Sequence, residues 1–152
     1  VICLIIVDAW KEVEDTQFPM LQSQMDTFLA YLNIECQSMK LYHKIDIFHD
    51  LTGREKSNYI EMFDGIQSVD KIDYTKYDVV LLCGAHLNVC IHSKYLKIIS
   101  KHTKVGVVMN LSLSFPKSDL VNTHIPKIPY FYYTQLSGFT QIQYFFYDKY
   151  IR

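Results

Sequence analysis

Seven consecutive apolar residues, Val1 to Val7 (Val-Ile-Cys-Leu-Ile-Ile-Val), run without a polar interruption and stop at Asp8. A run of this kind fits a strand covered on both faces, the situation of a strand inside a parallel sheet flanked by helices. Two further runs repeat the pattern, Val79 to Cys83 (Val-Val-Leu-Leu-Cys) and Lys104 to Met109 (Lys-Val-Gly-Val-Val-Met). Between the first two, residues Phe18 to Leu32 carry apolar side chains at Met20, Leu21, Met25, Phe28, Leu29 and Leu32. That spacing approximates a helical stripe, with Pro19 tolerated in the first turn. Ser38 to Phe48 reads as another strand, more mixed in character. A short helix is expected over Lys56 to Phe63, where Tyr59, Ile60 and Phe63 can share a face, and a longer one from about Leu87 to His102. Strands alternating with helices make βαβ units with right-handed crossovers. The expected fold is therefore a three-layer α/β/α sandwich on a mainly parallel, Rossmann-like sheet.

Beyond the third run, Pro116, Pro126 and Pro129 punctuate a loop-rich stretch. Tyr130 to Tyr150 is strongly aromatic and leaves strand and helix both open, with core packing or a subunit interface as the expected fate of the cluster. No repeat, linker or low-complexity tract divides the chain, so its 152 residues read as one domain, long enough to bury a single core. Since a core strand opens at residue 1, little of the fold is expected ahead of it.

Charge and composition narrow the functional classes. The 15 basic and 16 acidic side chains leave a net charge of -1, which gives no electrostatic basis for a nucleic-acid or anionic-membrane partner. No apolar run reaches the roughly 18 residues of a spanning helix, and no basic region precedes the first apolar segment, so the cytoplasm is the expected compartment. The four cysteines show neither a C-x-x-C pair nor metal-like spacing. Cys3 and Cys83, inside apolar strands, read as small buried hydrophobes. His43, Asp46 and His49 lack the arrangement of a rigid metal site, and no metal or cofactor is expected. A nucleotide-binding reading lacks its glycine-rich phosphate loop after the first strand.

The chemistry concentrates between Tyr77 and Ser93. The strand ending at Cys83 leads into Gly84 and a short bend, and Cys90 then sits where a helix can begin. The positive end of a helix dipole favours thiolate over thiol, and the unpaired N–H groups there can hold a developing oxyanion. Ligands of doubly wound sheets bind beyond the carboxyl ends of the strands. Asp8 ends the first strand, so a carboxylate and a thiol converge on one crevice if the two strands are neighbours. A carboxylate beside a thiol can take its proton, and a nearby ammonium can stabilise the anion. His92, two residues past Cys90, reads as a surface helix histidine.

These residues resemble the isochorismatase-like cysteine hydrolases, a family that includes nicotinamidases and other small amidases. Leu-Ile-Ile-Val-Asp8-Ala-Trp is similar to the end of the family's first strand, and Leu-Leu-Cys-Gly84-Ala-His-Leu-Asn-Val-Cys90-Ile matches its nucleophile segment in length and hydrophobic pattern. Lys56-Ser-Asn-Tyr-Ile-Glu-Met-Phe63 resembles the segment that carries its lysine. The resemblance covers about Val1 to Asn110. It implies a single isochorismatase-like hydrolase domain over residues 1–152, with Asp8 as general base and then acid, Lys56 as its electrostatic support and Cys90 as nucleophile. The oxyanion would lie on the backbone N–H groups of His86 and Cys90, beside a cis peptide at Ala85–His86. Trp10, Ala85 and Leu87 become candidates for the substrate pocket.

The implied activity is cleavage of a C–N bond in a small amide-type substrate through a thioester, in an oligomer of identical chains. Two departures favour an alternative. Leu87 stands where the family usually has Thr, and Trp10 replaces a common Gln. Both fit a non-catalytic isochorismatase-like scaffold acting as a binding or assembly module.

Overall fold

The computed structural model of the chain describes residues 1–13, 22–85, 90–102, 104–113, 131–135 and 143–147. The opening apolar run forms β1 (Ile2–Val7), with Cys3 through Val7 entirely buried. It is hydrogen-bonded on both edges. On one side β2 (Ile45–Asp50) runs parallel, with Ile2 opposite Ile45 and Val7 opposite Asp50. On the other β3 (Val79–Ala85) runs parallel, with Ile2 opposite Val79 and Val7 opposite Gly84. Parallel pairing continues to β4 (Val105–Leu113), and β5 (Phe131–Gln135) and β6 (Gln143–Tyr147) complete the sheet as an antiparallel pair. The order is β2-β1-β3-β4-β6-β5. Both aromatic segments of the ambiguous end of the chain are thus strands.

Alternation along the central strands sorts side chains to two apolar layers. Leu4, Ile6, Ile47, Leu81 and Cys83 meet α1 (Gln22–Tyr42) through its buried Met25, Leu29, Leu32, Cys36 and Met39. Cys3, Ile5, Val80, Leu82 and Val107 meet Tyr95 and Ile98 of α2 (His92–Ile98), together with Ile91, Tyr74 and Tyr77. Helices lie on both faces, and the expected three-layer α/β architecture is the one observed. Each large aliphatic side chain buried this way contributes roughly 1.5–3 kcal/mol before conformational entropy is counted.

Three element boundaries differ from expectation. The strand expected over Ser38–Phe48 begins only at Ile45, because Cys36 and Met39 prolong the 3- and 4-residue spacing of the α1 stripe and carry the helix to Tyr42. Lys40 then donates from Nζ to the Ile45 carbonyl at 3.0 Å and to Asp64 at 2.7 Å, tying the helix end to the strand start. The helix expected over Lys56–Phe63 is a chain of turns instead. Ser57 N–H bonds to the Ala9 carbonyl, Glu61 N–H is taken by the Asn33 side chain, and Phe63 is left-handed with φ 51°. In a helix the Glu61 N–H would bond the Ser57 carbonyl; spent on Asn33 instead, it leaves the ladder unformed. The helix expected from Leu87 is described only from Cys90, where a wider π-type turn leads into α2, and it ends at Ile98. Residues 86–89 lie outside the described chain, as does the expected start of the first helix at Phe18 and Pro19.

At Gly84 the backbone of β1 leaves no room for a side chain. The glycine's φ is +107°, and a Cβ placed there would stand 2.3 Å from the Val7 carbonyl oxygen and 2.8 Å from the Val7 nitrogen. Backbone on a central strand cannot retreat without breaking the ladder. A Gly84→Ala substitution is therefore expected to destabilise the protein by at least about 2 kcal/mol, from left-handed strain plus displacement of β1. A shift of the urea midpoint measures it; an unchanged midpoint would show that β1 and β3 tolerate separation here.

Candidate active site at the carboxyl ends of the strands

The shared register of β1, β2 and β3 brings their carboxyl ends to nearly one level. There Asp8 follows β1, Thr52 lies two residues past β2, and Cys90 opens the segment that leads into α2. The Asp8 N–H donates to the Asp50 carbonyl at 2.9 Å, and its own carbonyl accepts the Trp10 N–H at 2.8 Å. By strict alternation position 8 would follow Leu4 and Ile6 toward α1, but φ of 54° ends the pleat there. Aspartate is one of the few residues that enters the left-handed region readily. The carboxylate turns to meet two groups. Thr52 donates its hydroxyl to Asp8 Oδ1 at 2.8 Å, and the Cys90 thiol hydrogen-bonds to the same carboxyl group.

Thr52 is itself left-handed, φ 51°, which a β-branched residue adopts only at a cost of about 1–3 kcal/mol. Its N–H bonds to Asp50 Oδ1 at 3.3 Å. The two left-handed residues thus face each other at the ends of adjacent strands, held by side-chain hydrogen bonds rather than by backbone preference.

Asp8 is 4% exposed, and burial pushes its pKa above the ordinary carboxylate range. Hydrogen bonds from Thr52 and Cys90, then the positive charge of Lys94, oppose that shift, while the Asp50 carboxylate adds to it. Asp50, on the last residue of β2, is 3% exposed and fully engaged. Oδ2 accepts the Val69 N–H at 3.0 Å and lies 3.4 Å from Lys94 Nζ. Lys94 is 15% exposed, so this ion pair is largely removed from water. Removing one partner of such a pair typically costs about 3–5 kcal/mol, because the other charge stays buried. Lys94 lies four residues beyond Cys90, close to one full helical turn, and so on the same side.

Of the three residues expected to form the catalytic group, Asp8 and Cys90 come together and Lys56 is used differently. An antiparallel bridge pairs Lys56 with Trp10, carrying it to the neighbourhood of the strand ends. Its ammonium donates to the Ser57 carbonyl at 2.6 Å and to the Ile60 carbonyl, closing the turns that replace the expected helix. Partial burial lowers its pKa against the attraction of Glu61. The ammonium whose charge acts on Asp8 is that of Lys94. Four-residue spacing from Cys90 was the available signal for it.

Trp10 is pinned as a wall. Its indole N–H donates to the Leu51 carbonyl at 2.7 Å, and the Arg54 guanidinium lies 4.2 Å from the ring centroid, a cation–π contact. With Lys11, Glu12, Arg54 and Glu55 it lines an open hollow of about 340 Å³. Ala85, at the end of β3, is 2% exposed and pairs with Leu113. His86, Leu87 and the Ala85–His86 peptide bond lie outside the described residues. Asp46 accepts the Tyr77 hydroxyl at 2.7 Å, whereas His49 bonds through Nε2 to the Glu61 carbonyl at 2.7 Å and stacks on Phe63. Burial lowers the His49 pKa, aided by the Lys56 charge and opposed by the Glu61 bond, so the ring is held neutral. Cys90 is partly buried, while Cys3, Cys36 and Cys83 are buried. Among the described residues, no helix is long and apolar enough to cross a membrane.

No family model matches the sequence, and no curated protein matches it either. Among solved structures, an isochorismatase-like hydrolase from Alkaliphilus metalliredigens matches with a TM-score of 0.57, covering 84% of this chain and 89% of that one. The fold is the isochorismatase-like fold. Sequence identity is 12%, so the likeness is one of architecture, and the roles of individual residues rest on the geometry above.

Two expectations follow. With the folded pKa of Asp8 above its unfolded value, the unfolded chain gives up the proton first as pH rises, so Asp8 favours the fold in acid and that contribution is lost as pH rises through the folded pKa. Asp8→Asn, which cannot ionise, should melt above the native chain at pH 7 by a few degrees, with the gap narrowing as pH falls into the carboxyl range. A gap that is constant with pH would show that Asp8 ionises freely. Lys56→Met should lower the urea-derived stability by roughly 1–2 kcal/mol, through two charge-assisted bonds discounted for partial solvent access.

Proposed function

We propose that the protein is a cysteine hydrolase that cleaves a C–N bond of a small amide-type substrate through a thioester on Cys90. The observation that carries this reading is the hydrogen bond between the Cys90 thiol and the buried Asp8 carboxyl group at the carboxyl ends of parallel strands. The isochorismatase-like fold supports it by analogy, since that location is where such sheets place their ligands.

The chemistry balances within these residues. Ionised Asp8 takes the thiol proton as sulfur attacks the substrate carbonyl, and the C–O π pair moves to oxygen. The backbone N–H groups of His86 and Cys90 are the assigned donors to that oxyanion. Collapse reforms the carbonyl and breaks the C–N bond, and the departing amine leaves with the proton held by Asp8. Water then attacks the thioester, with Asp8 again accepting a proton. Collapse releases the acid and returns the proton to sulfur. The Thr52 hydroxyl keeps the carboxylate aimed at sulfur throughout. Trp10, with Ala85 and Leu87, stays on the substrate side in this reading.

A specific observation favours a second reading, a non-catalytic scaffold for binding or assembly. The Lys56 ammonium is committed to the Ser57 and Ile60 carbonyls.

Mild iodoacetamide at neutral pH, with the modified peptide mapped, separates the two. The hydrolase reading expects Cys90 to label selectively and Asp8→Asn to slow that labelling. Against a panel of small amides it expects Cys90→Ala to abolish turnover and Asp8→Asn to reduce it by about 100-fold or more, the usual scale of a lost general base. Labelling of Cys90 as sluggish as that of Cys36 would leave only the scaffold.

A further inference from the structure

The Asp8–Cys90 pair does not stand alone at the strand ends. Asp50 receives the Asp8 N–H on its carbonyl and the Thr52 N–H on Oδ1, while the Thr52 hydroxyl returns to Asp8 Oδ1. Lys94 Nζ lies 3.4 Å from Asp50 Oδ2, and its side chain is 15% exposed. The helix that carries Cys90 carries Lys94 four residues later, close to one full turn. Two carboxyl groups, one thiol and one ammonium are therefore linked through a single threonine and one turn of helix. Lys56, the cation that spacing alone points to, spends its donors on two backbone carbonyls.

We propose that Lys94, clamped by Asp50 and placed one turn beyond Cys90, is the positioning cation of the Asp8–Cys90 pair. The inference deepens the thioester reading and rests on it. When the thiol proton passes to Asp8, the cluster's total charge stays the same. One negative charge simply moves from the end of β1 onto the helix that holds the ammonium. In a site largely removed from water, the position of a fixed cation decides how readily that move occurs. Asp50 keeps the ammonium in place, since its carboxylate is itself fixed by the Val69 and Thr52 N–H groups. The titratable groups that face Lys94 from the strand ends are Asp50 and Asp8, and Cys90 and His92 precede it on its own segment; Tyr74, whose hydroxyl is spent on the Val69 carbonyl at 2.6 Å, stands near the Asp50 carboxylate.

The test is the pH profile of Cys90 alkylation by iodoacetamide, followed by peptide mapping alongside urea unfolding of each variant. Lys94→Met should slow alkylation at pH 7 by about tenfold or more and displace the profile to higher pH, the usual scale for losing one nearby opposite charge. Lys94→Arg should keep the rate within about threefold of native, since the charge is retained. Because Lys94→Met strands the Asp50 carboxylate, Asp50→Asn/Lys94→Met serves as the folded counterpart, and it should show the same slowing. Lys56→Met should lower the urea midpoint and leave the profile where it is. Native rates in a folded Lys94→Met or Asp50→Asn/Lys94→Met protein would overturn the proposal, as would a displaced profile in Lys56→Met. A native Cys90 that alkylates no faster than in the urea-unfolded chain is a distinct outcome, and it removes the thioester reading itself.

Discussion

Everything at the candidate site depends on β1 being bonded along both edges and covered on both faces. With β2 and β3 in fixed register against it, Val7 stands level with Asp50 on one side and Gly84 on the other, so Asp8 leaves the sheet where β2 also ends. That is a consequence of uninterrupted hydrophobicity. A strand slip by one residue would move every side chain of β1 to the opposite layer, so the register is strongly specified. Gly84 tightens the same joint, since its missing Cβ lets β3 close on Val7. A carboxylate, a threonine and a helix-borne thiol meet because the core leaves them no other height at which to emerge.

The site itself runs against the economy of that core. Two carboxyl groups sit within the same buried cluster as one ammonium, and two non-glycine residues hold left-handed backbone. Such arrangements persist only where surrounding packing over-determines them. In Asp8 the opposing effects are visible together. Burial favours the neutral acid, while Thr52, Cys90 and Lys94 favour the anion. The net direction is upward, because burial is the largest of these effects.

Sequence reading carried the architecture far and the site part of the way. The uniformly apolar strands were legible because both-face burial leaves an unbroken apolar run that a one-sided strand lacks, and because the runs are short and rich in Val and Ile, unlike a buried helix. Asp8 and Cys90 followed from their places after such strands. The strand expected at Ser38 failed because mixed residues near a helix end fit either period, and only packing of Cys36 and Met39 against β-strand side chains decides for the helix. Lys56 was legible as a residue but not as a role. Its position is set by pairing with Trp10, while the direction of its ammonium depends on which carbonyls the intervening turns leave open. Lys94 escaped notice for a related reason. A lysine on a helix reads as solvated until a partner such as Asp50, distant in sequence, is known to lie beneath it.

The distribution of sulfur has its own consequence. Burial, with Asp46 adding to it, pushes the Cys3 thiol up to about 12, and burial holds Cys36 and Cys83 further above the usual range, with Glu35 and Cys36 respectively contributing. These three sit in β1, α1 and β3, the elements that make up the interior beneath the α1 layer and the centre of the sheet. They are protonated and sealed in the native state and become ordinary thiols once the chain opens. The molecule thus carries an internal gauge of its own integrity: the slow appearance of three further thiol-reactive sulfurs would register global opening without any attached dye, on a clock separate from that of the partly buried Cys90.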